Sequence, residues 1–251
     1  MADYCITFIS QENFEKHVAE TIKSYNETLK SINLVKFNSN IIDPIKLTFD
    51  KALFKKSMEE ILELELHRQR DKSNTNAIGY FHQYMFKYIP NCEVPLHGFD
   101  VIFTQKDGTK VYVEMKNKHN TMNSSSAQKT YIGMQNQILN NPNDMCFLVE
   151  TIAPHSRNVV WKSSVNGKSV AHDKIRRVSM DKFYELVTGI PEAFYQICKQ
   201  LPLTIEKLIK TDAVETVEKD TVIEELKTKN PDLLKALYLL AFESYNGFNN
   251  F

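Results

Sequence analysis

Asp100, Glu114 and Lys116 are the residues of this chain whose types and spacing can do chemistry. Asp100 closes Gly98-Phe99-Asp100 and leads into Val101-Ile102-Phe103. A Lys106-Asp107-Gly108 turn follows, and then Val111-Tyr112-Val113-Glu114-Met115-Lys116-Asn117-Lys118. Both arms alternate apolar and polar residues with a period of two, which predicts a half-buried β-hairpin. On the second arm Val111, Val113 and Met115 share one face, and Tyr112, Glu114 and Lys116 share the other. Where Asp100 points depends on the turn. A three-residue loop, with Gly108 in its left-handed position, pairs Gln105 with Thr109 and sets Asp100 opposite Glu114. A two-residue loop sets Asp100 opposite Met115 and splits the carboxylates between faces. Gly108 favours the first register, which is the one expected. Two carboxylates on facing strands form a half-cage of hard oxygen ligands suited to Mg²⁺, with waters completing an octahedron. The Met115 backbone carbonyl is available as a third protein ligand, and Lys116 can hold or polarise a water. The bland reading of the same residues is a surface hairpin carrying a cross-strand salt bridge.

The elements around the hairpin are read from periodicity. Phe14, Val18, Ile22, Tyr25 and Leu29 recur at helical spacing over residues 11–30. A second helix is expected from about Lys51 to Arg68. A third, capped by Ser73-Asn74, carries Ile78, Phe81, Met85 and Tyr88 until Pro90 ends it. After the hairpin, residues 124–140 predict a helix with Tyr131, Met134 and Ile138 on one face. Cys146 to Ile152 is continuously apolar enough for a buried central strand. Strand, helix and buried strand make a right-handed parallel crossover. Asn158–Trp161 and Ile175–Val178 are further strand candidates. Ser179 begins a helix with Phe183, Leu186, Val187 and Ile190, and Pro191 starts its continuation through Phe194, Ile197 and Leu201. Asn230-Pro231 opens a last helix with Leu233, Leu234, Leu237 and Leu240. The expected class is α/β: a mixed central sheet flanked by helices, with helical N- and C-terminal segments.

Composition sets bounds. At 251 residues and 42% hydrophobic, the chain can bury a sizeable core. No run approaches the roughly 18 apolar residues that span a membrane, and the N-terminus carries no secretory pattern. Cys5, Cys92, Cys146 and Cys198 are scattered, without C-x-x-C spacing, so free thiols in a reducing cytoplasm are expected and a zinc site is not. The formal net charge is zero, which argues against a general polyanion binder. Its distribution is uneven. Five lysines face two acidic residues from Thr104 to Gly133, five basic residues face Asp173 from Lys162 to Arg177, and residues 205–251 hold nine acidic against six basic. A basic centre within an otherwise acidic or neutral surface suits a specific DNA enzyme. Ordinary mottling of a neutral surface is the competing account.

The stretch Glu114-Met115-Lys116-Asn117-Lys118-His119-Asn120-Thr121-Met122-Asn123 resembles the core of a PD-(D/E)XK nuclease, specifically a type II restriction endonuclease of the subfamily cutting GGNCC or GGWCC sites. The run Arg68-Gln69-Arg70-Asp71-Lys72, with Asn76-Ala77-Ile78-Gly79-Tyr80-Phe81-His82-Gln83, and the later Arg177-Val178-Ser179-Met180-Asp181-Lys182-Phe183-Tyr184-Glu185-Leu186-Val187-Thr188-Gly189 fit the same subfamily. The resemblance covers roughly residues 68–200. Phe99 stands where the superfamily motif often has proline. The resemblance implies a restriction-endonuclease-like fold for the core and says little about residues 1–60 and 205–251. No linker is long enough to demand two domains, so residues 1–251 are expected to form a single nuclease domain: a helical part at 1–72, a catalytic core at 73–200 and a helical part at 201–251. It implies Asp100, Glu114 and Lys116 as catalytic residues, and Mg²⁺ held by Asp100, Glu114 and the Met115 carbonyl. Gln83 matches the helix position that often approaches the metal site. Double-stranded DNA is the implied partner, cut to 5′-phosphate and 3′-hydroxyl ends. A homodimer is implied by the palindrome, and a matching DNA methyltransferase as genetic partner. Asn117, Lys118 and Asn120 follow the catalytic strand toward where DNA should lie. Ser124, Lys129 and, more weakly, Gln135 belong to the same region.

Lys162, Lys168, Lys174, Arg176 and Arg177 form the later basic cluster, in which Arg176 and Arg177 are candidates for reading guanine or for holding phosphates. Gly167-Lys168-Ser169 lacks the earlier glycine of a Walker A loop, because Lys162 occupies that position. His119 near Ser124-Ser125-Ser126 lacks the G-x-S-x-G elbow of a hydrolase. Glu59, Glu60, Glu63 and Glu65 read as a solvated helix face. Two rivals remain beside a restriction enzyme. One is a structure-selective repair or junction nuclease on the same core, and the other is a non-catalytic DNA-binding module. The second gains nothing from carboxylates facing DNA.

Overall fold

A computed structural model of the chain describes residues 4–211 and 218–244. The chain divides into two compact units, Met1–Ile22 with Ala77–Ala213, and Lys23–Asn76 with Val214–Phe251. Numbered in chain order, the helices are α1 (Gln11–Leu29), α2 (Leu34–Asn38), α3 (Pro44–Phe54), α4 (Met58–Met85), α5 (Ser124–Asn140), α6 (Met180–Thr188), α7 (Ala193–Thr211), α8 (Val222–Lys229) and α9 (Leu233–Phe242). The strands are β1 (Cys92–Glu93), β2 (Val101–Thr104), β3 (Lys110–Lys118), β4 (Met145–Ile152), β5 (Asn158–Val160), β6 (Ser163–Val165), β7 (Lys168–Val170) and β8 (Ile175–Ser179).

The first unit is built on a mixed sheet in the order β1-β2-β3-β4-β8-β5. β1, β2 and β3 are antiparallel neighbours, β3, β4 and β8 run parallel, and β5 returns antiparallel to β8. Alternation fixes what each face buries. Val101, Val111, Val113, Phe147, Val149 and Val178 pack under Phe14 and Val18 of α1, Met85 of α4, Phe183 of α6 and Ile197 of α7. On the other face Cys146, Leu148 and Ile175 pack against Tyr131, Met134 and Ile138 of α5. Helices on both faces are what the parallel pair demands, since its strands are apolar on both sides. The expected crossover β3–α5–β4 is present.

The hairpin register is the one expected from the three-residue loop. Val101 pairs with Val113, Phe103 with Val111 and Thr104 with Lys110, and Gln105 N–H donates to the Thr109 carbonyl at 2.8 Å. Gly108 has φ of 85°. No neighbouring atom would meet a Cβ there, so strain alone opposes substitution. Gly108→Val is therefore expected to cost about 1–2 kcal/mol, read from urea unfolding, with Gly108→Asn costing less. Equal stability of all three proteins would show that the turn does not hold the register.

Two helices differ from expectation. The helix predicted over 51–68 is broken, because Lys55 turns left-handed (φ 53°) after α3. A capping box then restarts the chain: Ser57 N–H donates to Glu60 Oε2 (2.8 Å) and Glu60 N–H donates to Ser57 Oγ (3.2 Å). No new helix begins at Ser73-Asn74, and α4 runs through. Ser73 Oγ donates back to the Gln69 carbonyl (3.2 Å), and Asn74 Oδ1 accepts from Thr28 Oγ (3.1 Å), so neither side chain caps. The β6–β7 hairpin was not anticipated. Its turn residues Asn166 and Gly167 both have positive φ, the requirement of a tight primed turn.

The second unit is helical. Ile61, Leu62 and Leu66 of α4 form a core with Leu47, Leu226 and Leu237. Arg70, within the family-like run, grips Asp220 with two bonds (2.7 and 2.9 Å) and the Thr28 carbonyl (2.7 Å). Glu65 is buried and taken up by Arg68 and Gln69, while Glu59 pairs with Lys227 and Glu60 with Lys56. Among the described residues no helix is long and apolar enough to cross a membrane. All four cysteines are free thiols.

Candidate active site

Asp100, Glu114 and Lys116 are brought together at the edge between β2 and β3. Asp100 does not sit in a regular pleat. Its N–H donates to the Val113 carbonyl (2.9 Å), although Val101 is the ladder partner of Val113, so two residues share one opposite position. This is a bulge-like bend, a device that re-aims a side chain next to a site. It turns the Asp100 carboxylate toward β3, where Oδ2 accepts the Met115 N–H at 2.7 Å. A strand residue presents its N–H and C=O to the same edge, so the Met115 carbonyl faces the side that Asp100 occupies. Glu114 and Lys116, two apart on β3, are joined at 2.7 Å. Burial pushes the Asp100 carboxyl above the ordinary aspartate range. The Met115 N–H pulls it back, and the Glu114 charge pushes it up further.

Gln83, near the end of α4, donates its amide to the Asp100 carbonyl (3.2 Å). It thus reaches the site but braces the backbone of Asp100. His82, beside it, lies against Phe81 and Phe194, and burial drives its pKa down to about 4. It is a neutral packing residue. The donor set suits a hard cation: two carboxylates and a carbonyl, with a desolvated Asp100 carboxylate that a cation would relieve. Among the described residues no group of three or more His, Cys, Asp or Glu side chains converges as a metal cluster.

The proposed DNA contacts fall into two groups. Asn117, Lys118 and Asn120 continue past Lys116, with Lys118 and Asn120 exposed. Ser124 and Lys129 are exposed on α5 and line a hollow of about 540 Å³ with Gln128, Ser164 and Gly167. Gln128 and Asn166 exchange side-chain and backbone hydrogen bonds (2.9 and 3.3 Å), which ties α5 to the β6–β7 turn. Gly167-Lys168-Ser169 belongs to that turn and strand. Arg176 and Arg177 occupy neighbouring positions of β8 and their side chains diverge. Arg176 bonds the side chain and carbonyl of Asn158 (2.7 Å to the carbonyl). Arg177 is committed inward to Glu150 (Nε–Oε1, 2.7 Å) and to the His119 carbonyl (3.0 Å).

Glu150 is the residue that sequence reading missed. It lies on β4 directly beside Lys116 in the parallel ladder and is 1% exposed. Arg157 and Arg177 both bond it, and His119 Nδ1 lies 3.3 Å from it. The signal was available: a lone carboxylate in the mostly apolar run Met145–Ile152 has to be paired if that run is buried.

A parallel β3–β4 pair crossing over through α5, edged by an antiparallel hairpin and covered by helices on both faces, is the restriction-endonuclease-like architecture. The family model described as Eco47II restriction endonuclease matches residues 6–210, so the chain belongs to that family of restriction endonucleases and is an enzyme of that class. It is 29% identical over 219 residues to the type II restriction enzyme Sau96I of Staphylococcus aureus, covering 84% of each chain. It is 27% identical over 214 residues to the type II restriction enzyme Eco47II of Escherichia coli, covering 81% of this chain and 88% of that one.

Proposed function

We propose that this chain is a Mg²⁺-dependent type II restriction endonuclease that cuts both strands of DNA at a GGNCC-like palindrome. The observation that carries the reading is the convergence of Asp100, Glu114 and Lys116 on one strand edge, in a chain whose family match spans residues of both units. Asp100, Glu114 and the Met115 carbonyl would hold the cation. When bound, it supplies Lewis-acid stabilisation of charge on the scissile phosphate and a more acidic water. Lys116 orients the attacking water opposite the leaving 3′ oxygen, giving 5′-phosphate and 3′-hydroxyl ends. Its present partner, Glu114, keeps the ammonium at the reaction centre. Gln83 steadies the Asp100 backbone so that the bent strand keeps its aim. Two subunits related by a two-fold axis match a palindromic target, one site per strand. A cytoplasmic enzyme of this kind needs a companion methyltransferase to protect the host's own sites.

The test is incubation of the purified protein with unmethylated phage DNA and Mg²⁺. Discrete fragments whose ends can be religated and 5′-dephosphorylated are expected, and chelation should stop their formation. A smear, or cutting that follows branch points instead of sequence, would replace this reading with the structure-selective alternative.

A further inference from the structure

We propose that His119 is a DNA-backbone contact, its ring aimed by Arg157, which Glu150 holds in turn, so that Nε2–H donates to a phosphate oxygen beyond the scissile one. The inference rests on the nuclease reading and names a contact that this reading does not contain. His119 continues β3, its N–H bonding the Ile152 carbonyl (3.0 Å), and its own carbonyl accepts from Arg177 (3.0 Å). The backbone is therefore held on both sides. The ring is held too, because Nδ1 lies 3.1 Å from an Arg157 guanidinium nitrogen, and that guanidinium is itself fixed by Glu150. Arginine has no acceptor, so the Arg157 contact requires Nδ1 to accept and places the proton on Nε2. Nε2 itself meets no partner among the described residues, and the side chain is 41% exposed. The result is a fixed donor at the surface.

The surroundings favour an anion. One buried carboxylate serves two guanidiniums, leaving a surplus positive charge, and the buried Nε of Arg157 finds no acceptor. Arg157 and Arg177 are 13% and 21% exposed, so they supply field and orientation more than direct contact. The position is apt as well. His119 is three residues beyond Lys116 on a strand, roughly 10 Å along it, which is about three nucleotide rises of one DNA strand. Ligands of parallel sheets gather at the carboxyl ends of the strands, where this residue lies.

The experiment measures binding of duplexes in Ca²⁺, cognate and scrambled, for wild type, His119→Ala and His119→Gln over a salt series. A neutral donor to phosphate predicts about tenfold weaker binding of both duplexes by His119→Ala, or ~1.4 kcal/mol. The salt slope should stay unchanged, because no counterion-releasing charge is lost. Gln, whose amide can reach the Nε2 position, should recover most of the affinity, and melting temperatures should match. Unchanged binding by His119→Ala, loss confined to the cognate duplex, or a loss that Gln does not repair would each overturn the proposal. Failure of the wild type to bind either duplex would instead overturn the nuclease reading.

Discussion

Glu114→Ala is expected to lower Mg²⁺-dependent DNA cleavage by on the order of a thousandfold or more, with the folded structure intact. Glu114 is half-buried at the end of the hairpin and bonds only Lys116 among the described residues (2.7 Å), so its removal leaves no core cavity and exposes no deeply buried charge. What it removes is one carboxylate of the proposed cation site and the partner of Lys116. Loss of one preorganised stabilising group typically costs about 10²–10³-fold, and weakened hold on the cation adds to it. Asp100→Asn gives the companion result. Burial raises the Asp100 pKa, so the folded state binds this proton more tightly than the unfolded state does. Its stabilising share is then present at low pH and is lost as pH rises through the folded pKa. At neutral pH the ionised Asp100 is a cost to the cation-free fold. Asn keeps an oxygen for the Met115 N–H, so the variant should be inactive yet melt no lower, and above the folded pKa it should melt higher than wild type without divalent cation. Added Mg²⁺ should raise the wild-type melting temperature and leave Asp100→Asn unmoved. Cleavage by Glu114→Ala at the wild-type rate would remove the site assignment.

The hairpin was legible because its information is local. Period-two alternation and one glycine fix strand, face and register, and β2–β3 follows that reading through Val101. The last step at Asp100 was not legible, since a bulge-like bend depends on which carbonyl an N–H finds and not on residue type. Helix boundaries failed for a different reason. Ser73 and Asn74 are good capping residues, but their side chains satisfy the Gln69 carbonyl and Thr28 instead, and tertiary partners decided the outcome. The Ser57–Glu60 capping box and the Asn166-Gly167 turn were written locally and went unread. Arg177 shows the limit of charge counting. A basic cluster in sequence says nothing of which member will turn inward, and Arg177 was claimed by a carboxylate from a neighbouring strand. The chemistry of Asp100, Glu114 and Lys116 was readable, whereas the buried ion group beside Lys116 depends on pairing β4 with β3 and β8.

Glu150→Gln should destabilise the protein by about 3–5 kcal/mol, the usual consequence of removing one partner from a buried ion pair. The substitution conserves shape, so a cavity is not the cause. Two guanidiniums, 13% and 21% exposed, would lose their shared counter-charge while remaining inside. Among the described residues neither side chain has another carboxylate: Arg177 retains the His119 carbonyl, and Arg157 the His119 ring. Urea unfolding of the full chain measures the loss, and an unchanged slope with a lower midpoint would locate it in the folded state. The triple change Glu150→Met, Arg157→Leu and Arg177→Leu separates charge from packing. Replacing a whole buried ion group with apolar residues of similar size is often neutral or stabilising, so this variant should regain most of the lost stability. It should not regain DNA affinity, because the His119 ring loses the groups that aim it and the surplus positive charge disappears. A loss below ~1 kcal/mol for Glu150→Gln would mean that solvent reaches the guanidiniums and that β4 and β8 hold their register without them.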